Sequence, residues 1–148
     1  QVEAILPDTP SVRGAGGEGG GALVSQRGVL LVRVENAADL RNADTIGLSD
    51  PYAVVRVGQQ RHATKRVNNC LDPEWNEEFQ FFVDNSATAN IFVTVLDHDA
   101  TSSDDPLGDL SVSVAEVQAS EDGRLRGEWP LEHTSQGRVT LAMVWKPY

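Results

Sequence analysis

The sequence has few of the features that mark several large classes of protein. Its single cysteine, Cys70, excludes an internal disulfide and suits a reducing compartment. No apolar run approaches the roughly 20 residues that a membrane-spanning helix needs. Basic residues are scarce, because 12 Lys and Arg stand against 22 Asp and Glu and give a net charge of -10. This balance argues against general nucleic-acid binding, which needs a basic face.

Signatures of common catalytic sites are missing too. The glycine-rich run from Gly14 to Gly21 is not followed by Lys-Ser or Lys-Thr, so it is not a phosphate-binding loop. There is no nucleophile elbow, and Cys70 has no histidine near it in sequence to activate its thiol. We therefore predict a binding protein and not an enzyme. One enzymatic alternative remains, in which clustered aspartates hold Mg²⁺ or act as a general acid/base pair.

The composition that is present is that of a folded domain, with 40% hydrophobic and 23% charged residues in a chain of 148. Residues 1–27 differ from the rest. Six of the eight residues from Gly14 to Gly21 are glycine, a composition that behaves as flexible coil. We predict a flexible linker over residues 1–27 and one domain over residues 28–148.

Short apolar segments separated by turn residues fill the predicted domain. The predicted strands run from Val29 to Val34, Tyr52 to Val57, Gln60 to Lys65, Glu78 to Val83, Ile91 to Leu96, Leu107 to Val114, Glu128 to Leu131 and Arg138 to Trp145. The first strand has apolar residues at both odd and even positions, which predicts a strand buried on both faces. Only the stretch from Val114 to Ala119 indicates a helix. The pattern predicts an all-β protein, an eight-stranded antiparallel β-sandwich.

Carboxylates gather on two of the predicted loops. Asp44 and Asp50 lie between the first two strands, whereas Asp97, Asp99 and Asp105 follow the fifth. If both loops lie at one end of the sandwich, these side chains converge. Two like charges about 5 Å apart repel by roughly 3 kcal/mol at an effective dielectric of about 20. A hard divalent cation removes this repulsion and prefers oxygen ligands, so the sequence predicts a calcium site built from two loops.

An EF-hand is the competing interpretation of the second loop, because Asp97, Asp99 and Thr101 imitate its first ligands. It fails at the sixth position, where Ser102 replaces the required glycine, and at the twelfth, where Gly108 replaces a bidentate glutamate. Two further aspartates fall outside the ligand pattern, and we interpret them as solvated surface residues: Asp104 and Asp109.

Four motifs in register resemble a C2 domain, a calcium-dependent phospholipid-binding β-sandwich. They are Asp44, Ser49-Asp50-Pro51-Tyr52, Asp72-Pro73-Glu74-Trp75-Asn76-Glu77-Glu78-Phe79, and Leu96-Asp97-His98-Asp99 with Asp105 and Leu107-Gly108. The resemblance covers about residues 28–148, and the tail 127–141 is most similar to the extended synaptotagmin and tricalbin group. It implies the C2 strand ordering whose first strand runs from Val29 to Val34 and whose last runs from Arg138 to Trp145.

The resemblance also implies a set of metal ligands. Five aspartates correspond to the calcium ligands of the family: Asp44, Asp50, Asp97, Asp99 and Asp105. Ser102 corresponds to its auxiliary serine ligand, and the backbone carbonyls of Ala43 and His98 are expected to contribute. Two or three Ca²⁺ ions would turn a loop end that repels anions into one that is neutral or positive.

The implied partner is an anionic phospholipid membrane, containing phosphatidylserine. Arg61 and Lys65, on the third predicted strand, are expected to contact phosphoinositide headgroups; alternatively they only keep an edge strand soluble. Ile46 is the one substantial apolar residue at the loop tips, so attachment is predicted to be mainly electrostatic.

The predicted function is a calcium-dependent module that recruits or tethers its parent protein to anionic membranes from the cytoplasm, as a peripheral membrane protein. A parent like the extended synaptotagmins would place it, with other domains, at contacts between endoplasmic reticulum and plasma membrane, in lipid transfer. The alternative is a calcium-independent phosphoinositide- or protein-interaction module.

Overall fold

The computed structural model describes residues 24–148. The strands are β1 (Gly28–Ala38), β2 (Pro51–Val57), β3 (Gln60–Ala63), β4 (Glu74–Val83), β5 (Asn90–Asp97), β6 (Asp105–Ser113), β7 (Arg124–Pro130) and β8 (Arg138–Pro147). One α-helix, α1 (Val114–Ala119), follows β6 where it was predicted, and the Ser113 side chain caps it by accepting a hydrogen bond from the Glu116 amide. The predicted linker over residues 1–27 falls mainly on residues 1–23, outside the described residues, and stays a prediction.

The strands form two four-stranded antiparallel sheets with the orders β4-β1-β8-β7 and β3-β2-β5-β6. The first strand, β1, pairs with β4 on one side and with the last strand, β8, on the other. This confirms the predicted all-β sandwich and its strand ordering. Within residues 24–148, no helix is long and apolar enough to cross a lipid bilayer.

The core lies between the sheets, where alternate side chains of each strand meet. Leu30, Val32 and Val34 of β1 are fully buried, and burial of each such side chain stabilises the fold by about 1.5–3 kcal/mol. Leu31 on the other face is half-buried and Arg33 is exposed. The prediction that this strand is buried on both faces is therefore wrong, because its outer face meets solvent and not a second layer.

Both acidic segments lie at the same end of the sandwich. We call residues 39–50, between β1 and β2, the first acidic loop, and residues 98–104, between β5 and β6, the second acidic loop. Pro51 pairs with Asp97, so β2 begins where β5 ends. The amide of His98 donates to the carbonyl of Asp50 at 3.1 Å and joins the two loops directly.

Candidate metal centre

Three carboxylates converge where the two acidic loops meet. Asp44, Asp50 and Asp97, hereafter the acidic trio, each offer an oxygen, and these oxygens lie within 4.8 Å of one another. Asp97, the last residue of β5, is only 1% exposed. Its Oδ1 accepts a hydrogen bond from the Asp50 amide at 2.8 Å, which holds the first acidic loop against the end of β5.

The second oxygen of Asp97 shows that the trio fits a cation. Oδ2 of Asp97 is buried, and no donor among residues 24–148 reaches it. Such an acceptor costs about 1–3 kcal/mol, and more when it carries charge. The Asp44 carboxyl can donate to Asp97 only when it is protonated, and this side-chain hydrogen bond is the first cause that raises the pKa of Asp44 to about 6, followed by partial loss of water and by repulsion from the nearby aspartates. The trio therefore lacks positive charge, and its all-oxygen donor set suits a hard divalent cation.

Short polar side chains fix the first acidic loop. Ser49 is fully buried, and its Oγ accepts from the Ala43 amide at 2.9 Å and donates to the Arg41 carbonyl at 3.3 Å. Asn42 accepts from the Asp44 amide at 3.1 Å and donates to the Gly47 carbonyl at 3.0 Å. These bonds set the position of Asp44. Ser49 and Asn42 therefore have a role in the site that was not predicted from the sequence.

A third segment, between β3 and β4, supports Asp50. The Asn69 amide donates to Oδ1 of Asp50 at 2.7 Å, and the Asn69 side chain accepts from the Leu48 amide at 2.7 Å. Asn69 adopts a left-handed backbone with φ of 57°, a conformation that Asn tolerates better than most residues. Adjacent asparagines are a turn signal that could have indicated this support from the sequence.

The second acidic loop is organised by the side chain of Asp99. Its Oδ1 accepts from the amide and hydroxyl of Thr101 at 2.9 and 3.1 Å, and its Oδ2 accepts from the Ser102 hydroxyl at 2.8 Å. These bonds, the Thr101 amide first, lower the pKa of Asp99. Asp99 lies outside the trio, although its charge contributes to the raised pKa of Asp44. Ser102 is directed to Asp99.

The other predicted ligands lie around the trio. Asp105 begins β6, is exposed, and pairs across the strands with Asp97. The Arg41 side chain donates to the carbonyl of Pro106 at 2.7 Å and thereby joins the first acidic loop to the start of β6. Ala43 is half-buried beside Asp44. The carboxylate of Asp105 is not among the converging ligand atoms, and the assignment of each ligand outside the trio stays a prediction.

Asp104 is not the solvated surface residue that the sequence suggested. It is half-buried; its Oδ2 accepts a hydrogen bond from the Tyr52 hydroxyl and its Oδ1 accepts from the Asp99 amide at 2.9 Å. Burial and this bond raise the pKa of Tyr52 to about 12. The Tyr52 hydrogen bond, followed by that from Asp99, lowers the pKa of Asp104. The His98 ring nitrogen Nδ1 lies 3.8 Å from the same carboxylate.

A second group of possible metal ligands lies on another part of the surface. Asp109, Glu132 and His133, hereafter the Asp109 cluster, also offer atoms within 4.8 Å of one another. The His133 ring nitrogen Nδ1 lies 3.0 and 3.1 Å from the two carboxylate oxygens of Asp109. Backbone bonds of 3.1 and 2.7 Å pair Asp109 with Glu132. Asp109 is therefore bonded and not simply solvated, contrary to the prediction.

The residues predicted to bind lipid are separated in the structure. Arg61 is exposed on β3, opposite Arg56 of β2, and both line a shallow pocket of about 230 Å³ with Phe92. The Arg56 guanidinium lies 5.9 Å from the centre of the Phe92 ring. Lys65 is not on β3, which ends at Ala63, and does not line this pocket. Arg56 is thus the second cation beside Arg61, and the sequence reasoning missed it.

Apolar side chains project from the first acidic loop. Ile46 is 92% exposed and Leu48 is 40% exposed. Ile46 was predicted to lie at the loop tip, whereas Leu48 was not. Because Leu48 accompanies Ile46, the loop offers more apolar surface than was predicted.

Comparison with known proteins gives a consistent result. The sequence model of the C2 domain matches residues 28–129. The chain is 33% identical over 126 residues to extended synaptotagmin-2 of Mus musculus, covering 80% of this chain and 14% of that protein. It is 29% identical over 133 residues to synaptotagmin-5 of Arabidopsis thaliana, covering 82% of this chain and 23% of that protein. The chain thus spans less than a quarter of either relative.

Solved structures agree. The calcium-bound structure of two C2 domains of extended synaptotagmin 2 matches with a TM-score of 0.77 at 30% identity, over 82% of this chain and 46% of that one. A single C2 domain of plant extended synaptotagmin 1 matches in fold with a TM-score of 0.75 at 24% identity, over 82% of this chain and 95% of that one.

Proposed function

The chain belongs to the C2 domain family, and from this premise we propose that it is a calcium-dependent module for binding anionic phospholipid surfaces. The observation that carries the proposal is the acidic trio, with a buried carboxylate oxygen of Asp97 that lacks a donor among the described residues. The calcium-bound state of extended synaptotagmin 2, a structure 30% identical to this chain, supports the choice of metal.

The residues that would hold two or three Ca²⁺ ions surround this oxygen. Asp44, Asp50 and Asp97 would form the centre, Asp99 and Asp105 would bind from the second acidic loop and β6, and the remaining places would fall to Ser102 and the carbonyls of Ala43 and His98. When bound, calcium would supply positive charge and places for lipid phosphate oxygens. The chain's own contribution is to hold the carboxylates together through Ser49 and Asn69.

Attachment to the membrane would combine charge with a small apolar contact. Ile46 and Leu48 are exposed on the first acidic loop, which also carries Asp44 and Asp50, so both would reach the interface when the loops face a bilayer. A fully buried side chain of this size contributes about 1.5–3 kcal/mol. We expect charge to supply the larger share of the attachment, and the two apolar residues to add to it.

Vesicle sedimentation tests the proposal. The protein should sediment with phosphatidylcholine vesicles containing phosphatidylserine in calcium, and should remain in the supernatant in chelator or with phosphatidylcholine alone. The Asp97→Asn, Asp99→Asn double variant should not sediment in any of these conditions. Raising the salt from about 0.1 to 1 M should release most of the protein, because the screening length falls from about 10 to 3 Å. Equal sedimentation in calcium and chelator would contradict the proposal.

A second candidate function, calcium-independent binding of phosphoinositide headgroups, is favoured by the pocket that Arg56 and Arg61 line. Two guanidinium groups on one strand pair suit a multiply charged phosphate. Vesicles containing a phosphoinositide, in chelator, should retain the wild type but not Arg61→Gln. Lys65→Gln, which removes a charge outside the pocket, is the matched control. Retention of Arg61→Gln at the wild-type level would exclude this function.

For the parent protein we propose a tether at a membrane contact. Similarity to extended synaptotagmin-2 supports a cytoplasmic, peripheral position at contacts between endoplasmic reticulum and plasma membrane, in lipid transfer with other domains. The module itself would not be an enzyme.

A further inference from the structure

One carboxylate connects three parts of the chain beside the acidic trio. Asp104 accepts from the Tyr52 hydroxyl of β2 through Oδ2 and from the Asp99 amide through Oδ1. Asp104 is the last residue of the second acidic loop, just before β6. Its two hydrogen bonds therefore join the end of the loop to the beginning of the loop and to β2. Both Tyr52 and Asp104 are half-buried. We call this arrangement the Tyr52–Asp104 clamp.

The clamp extends into the loop through the side chain of Asp99. With its amide held by Asp104, Asp99 in turn accepts from the Thr101 amide and from the Ser102 hydroxyl. The loop is therefore fixed by a continuous series of hydrogen bonds that starts on β2. Within the described residues, no regular strand or helix covers residues 98–104, so these side-chain bonds maintain its conformation.

Asp104 has a different role from the trio. Both of its oxygens accept hydrogen bonds, whereas Asp97 has a buried oxygen without a donor among the described residues. Asp104 is also absent from the group of converging ligand atoms. Because its oxygens bond to donors of the protein, Asp104 serves to hold the loop.

We propose that Tyr52 and Asp104 are positioning residues that hold the second acidic loop in its ion-binding conformation before calcium arrives. The inference rests on the proposed function, because it concerns the affinity of the same site. A loop ordered in advance does not have to lose its conformational freedom on binding, so more of the interaction energy appears as affinity. Neither residue needs to touch the ion.

The competing explanation is that Asp104 only adds negative charge near the site. Tyr52→Phe separates the two explanations, because it removes the hydroxyl donor and leaves every charge in place. We expect calorimetry to show calcium affinity weakened about three- to tenfold, since part of a charge-assisted hydrogen bond is coupled to binding. Tyr148→Phe is the matched control, because Tyr148 is 78% exposed at the far end of the domain. Wild-type affinity in Tyr52→Phe would overturn the proposal.

A double-mutant cycle provides the readout that a simple loss of charge would not produce. Asp104→Ala should weaken calcium binding, and adding Tyr52→Phe to it should cause little further loss, because the hydroxyl then has no partner. If the two losses add in full, the residues act independently and the clamp does not position the loop.

Hydrogen exchange of the metal-free protein separates this proposal from the proposed function. The Asp99 amide should be protected in the wild type, and the protection should fall in Tyr52→Phe but not in Tyr148→Phe. Equal protection in the wild type and Tyr52→Phe overturns the clamp even when calcium binds. A wild-type protein that binds no calcium overturns the proposed function, whereas the exchange difference would still support a clamp that orders the loop.

Discussion

The two groups of converging ligand atoms, the acidic trio and the Asp109 cluster, differ in the polar partners of their carboxylates. Both bring three side chains within 4.8 Å. In the Asp109 cluster the imidazole of His133 bonds the Asp109 carboxylate, and the backbones of Asp109 and Glu132 are hydrogen-bonded to each other. In the trio, three carboxylates meet and Oδ2 of Asp97 is buried without a donor among residues 24–148. Convergence alone therefore does not favour either group as a metal site; the buried Asp97 oxygen without a donor favours the trio.

The Asp109 cluster has a structural role that explains its geometry. Gly108 precedes Asp109 with φ of +131°, and a Cβ there would lie 2.8 Å from Cβ of Leu131. The segment that carries Glu132 and His133 therefore packs closely against β6. The hydrogen bonds of the cluster hold this segment in place, and they give the Asp109 carboxylate a partner within the fold.

The largest expected effect comes from removing one carboxylate from each group. Asp97→Asn should weaken calcium binding by at least about a hundredfold, because it removes a charged ligand from the centre of the trio. Its amide oxygen can still accept from the Asp50 amide, so the fold should persist. Asp109→Asn, with the same change of charge, should bind calcium like the wild type in calorimetry. Comparable losses in the two variants would contradict the distinction.

The next effect is a dependence of calcium binding on pH. The pKa of Asp44 is raised to about 6, so protons compete with calcium as the pH falls through this value. Affinity at pH 5 should be about tenfold weaker than at pH 7, since about one tenth of Asp44 is then ionised. Asp44→Asn should bind more weakly but lose most of this dependence. Equal calcium affinity of the wild type at both pH values would contradict the raised pKa of Asp44.

The smallest effect concerns the stability of the metal-free protein. The folded-state pKa of Asp44, about 6, exceeds its ordinary value of 3.8, so ionisation opposes folding as the pH rises between these values. Asp44→Asn removes the ionisation and should raise Tm by about 1–4 °C at pH 7.5, with a smaller gain at pH 4.5. Asp109→Asn should lower Tm or leave it unchanged. Scanning calorimetry in chelator measures both.

Much of the fold was predictable because its strands alternate clearly or are rich in β-branched residues. The sequence prediction placed β2, β5 and α1 within a residue of their bounds. It began β4 at Glu78, four residues after its observed start at Glu74, because polar side chains there obscure a strand whose backbone pairs with β1 beyond a bulge. Backbone pairing between two strands does not depend on the alternation of side chains within either strand, so the sequence pattern of β4 did not reveal it.

For the candidate site, the sequence predicted the acidic residues but not what holds them. The positions of five aspartates on two loops predicted convergence, and the structure brings together three of them, Asp44, Asp50 and Asp97, but not Asp99 or Asp105. The supports were missed because hydroxyl and amide side chains on loops are common, and their partners lie far away in sequence. Asp104, for example, bonds Tyr52 from 52 positions away. Such contacts are determined by tertiary packing and leave no local pattern.

The pairing of the first and last strands has a mechanical consequence. β1 and β8 are neighbours along their full length, and the Tyr148 amide donates to the Arg27 carbonyl at 3.1 Å at the end away from the acidic loops. Force applied between residues 27 and 148 would act across these hydrogen bonds and peel them one at a time. Force carried from the acidic loops to either of these residues would run along the strands, in shear, and load many bonds together. The sandwich should therefore resist force between the acidic loops and either residue 27 or residue 148 better than force that separates residues 27 and 148 from each other.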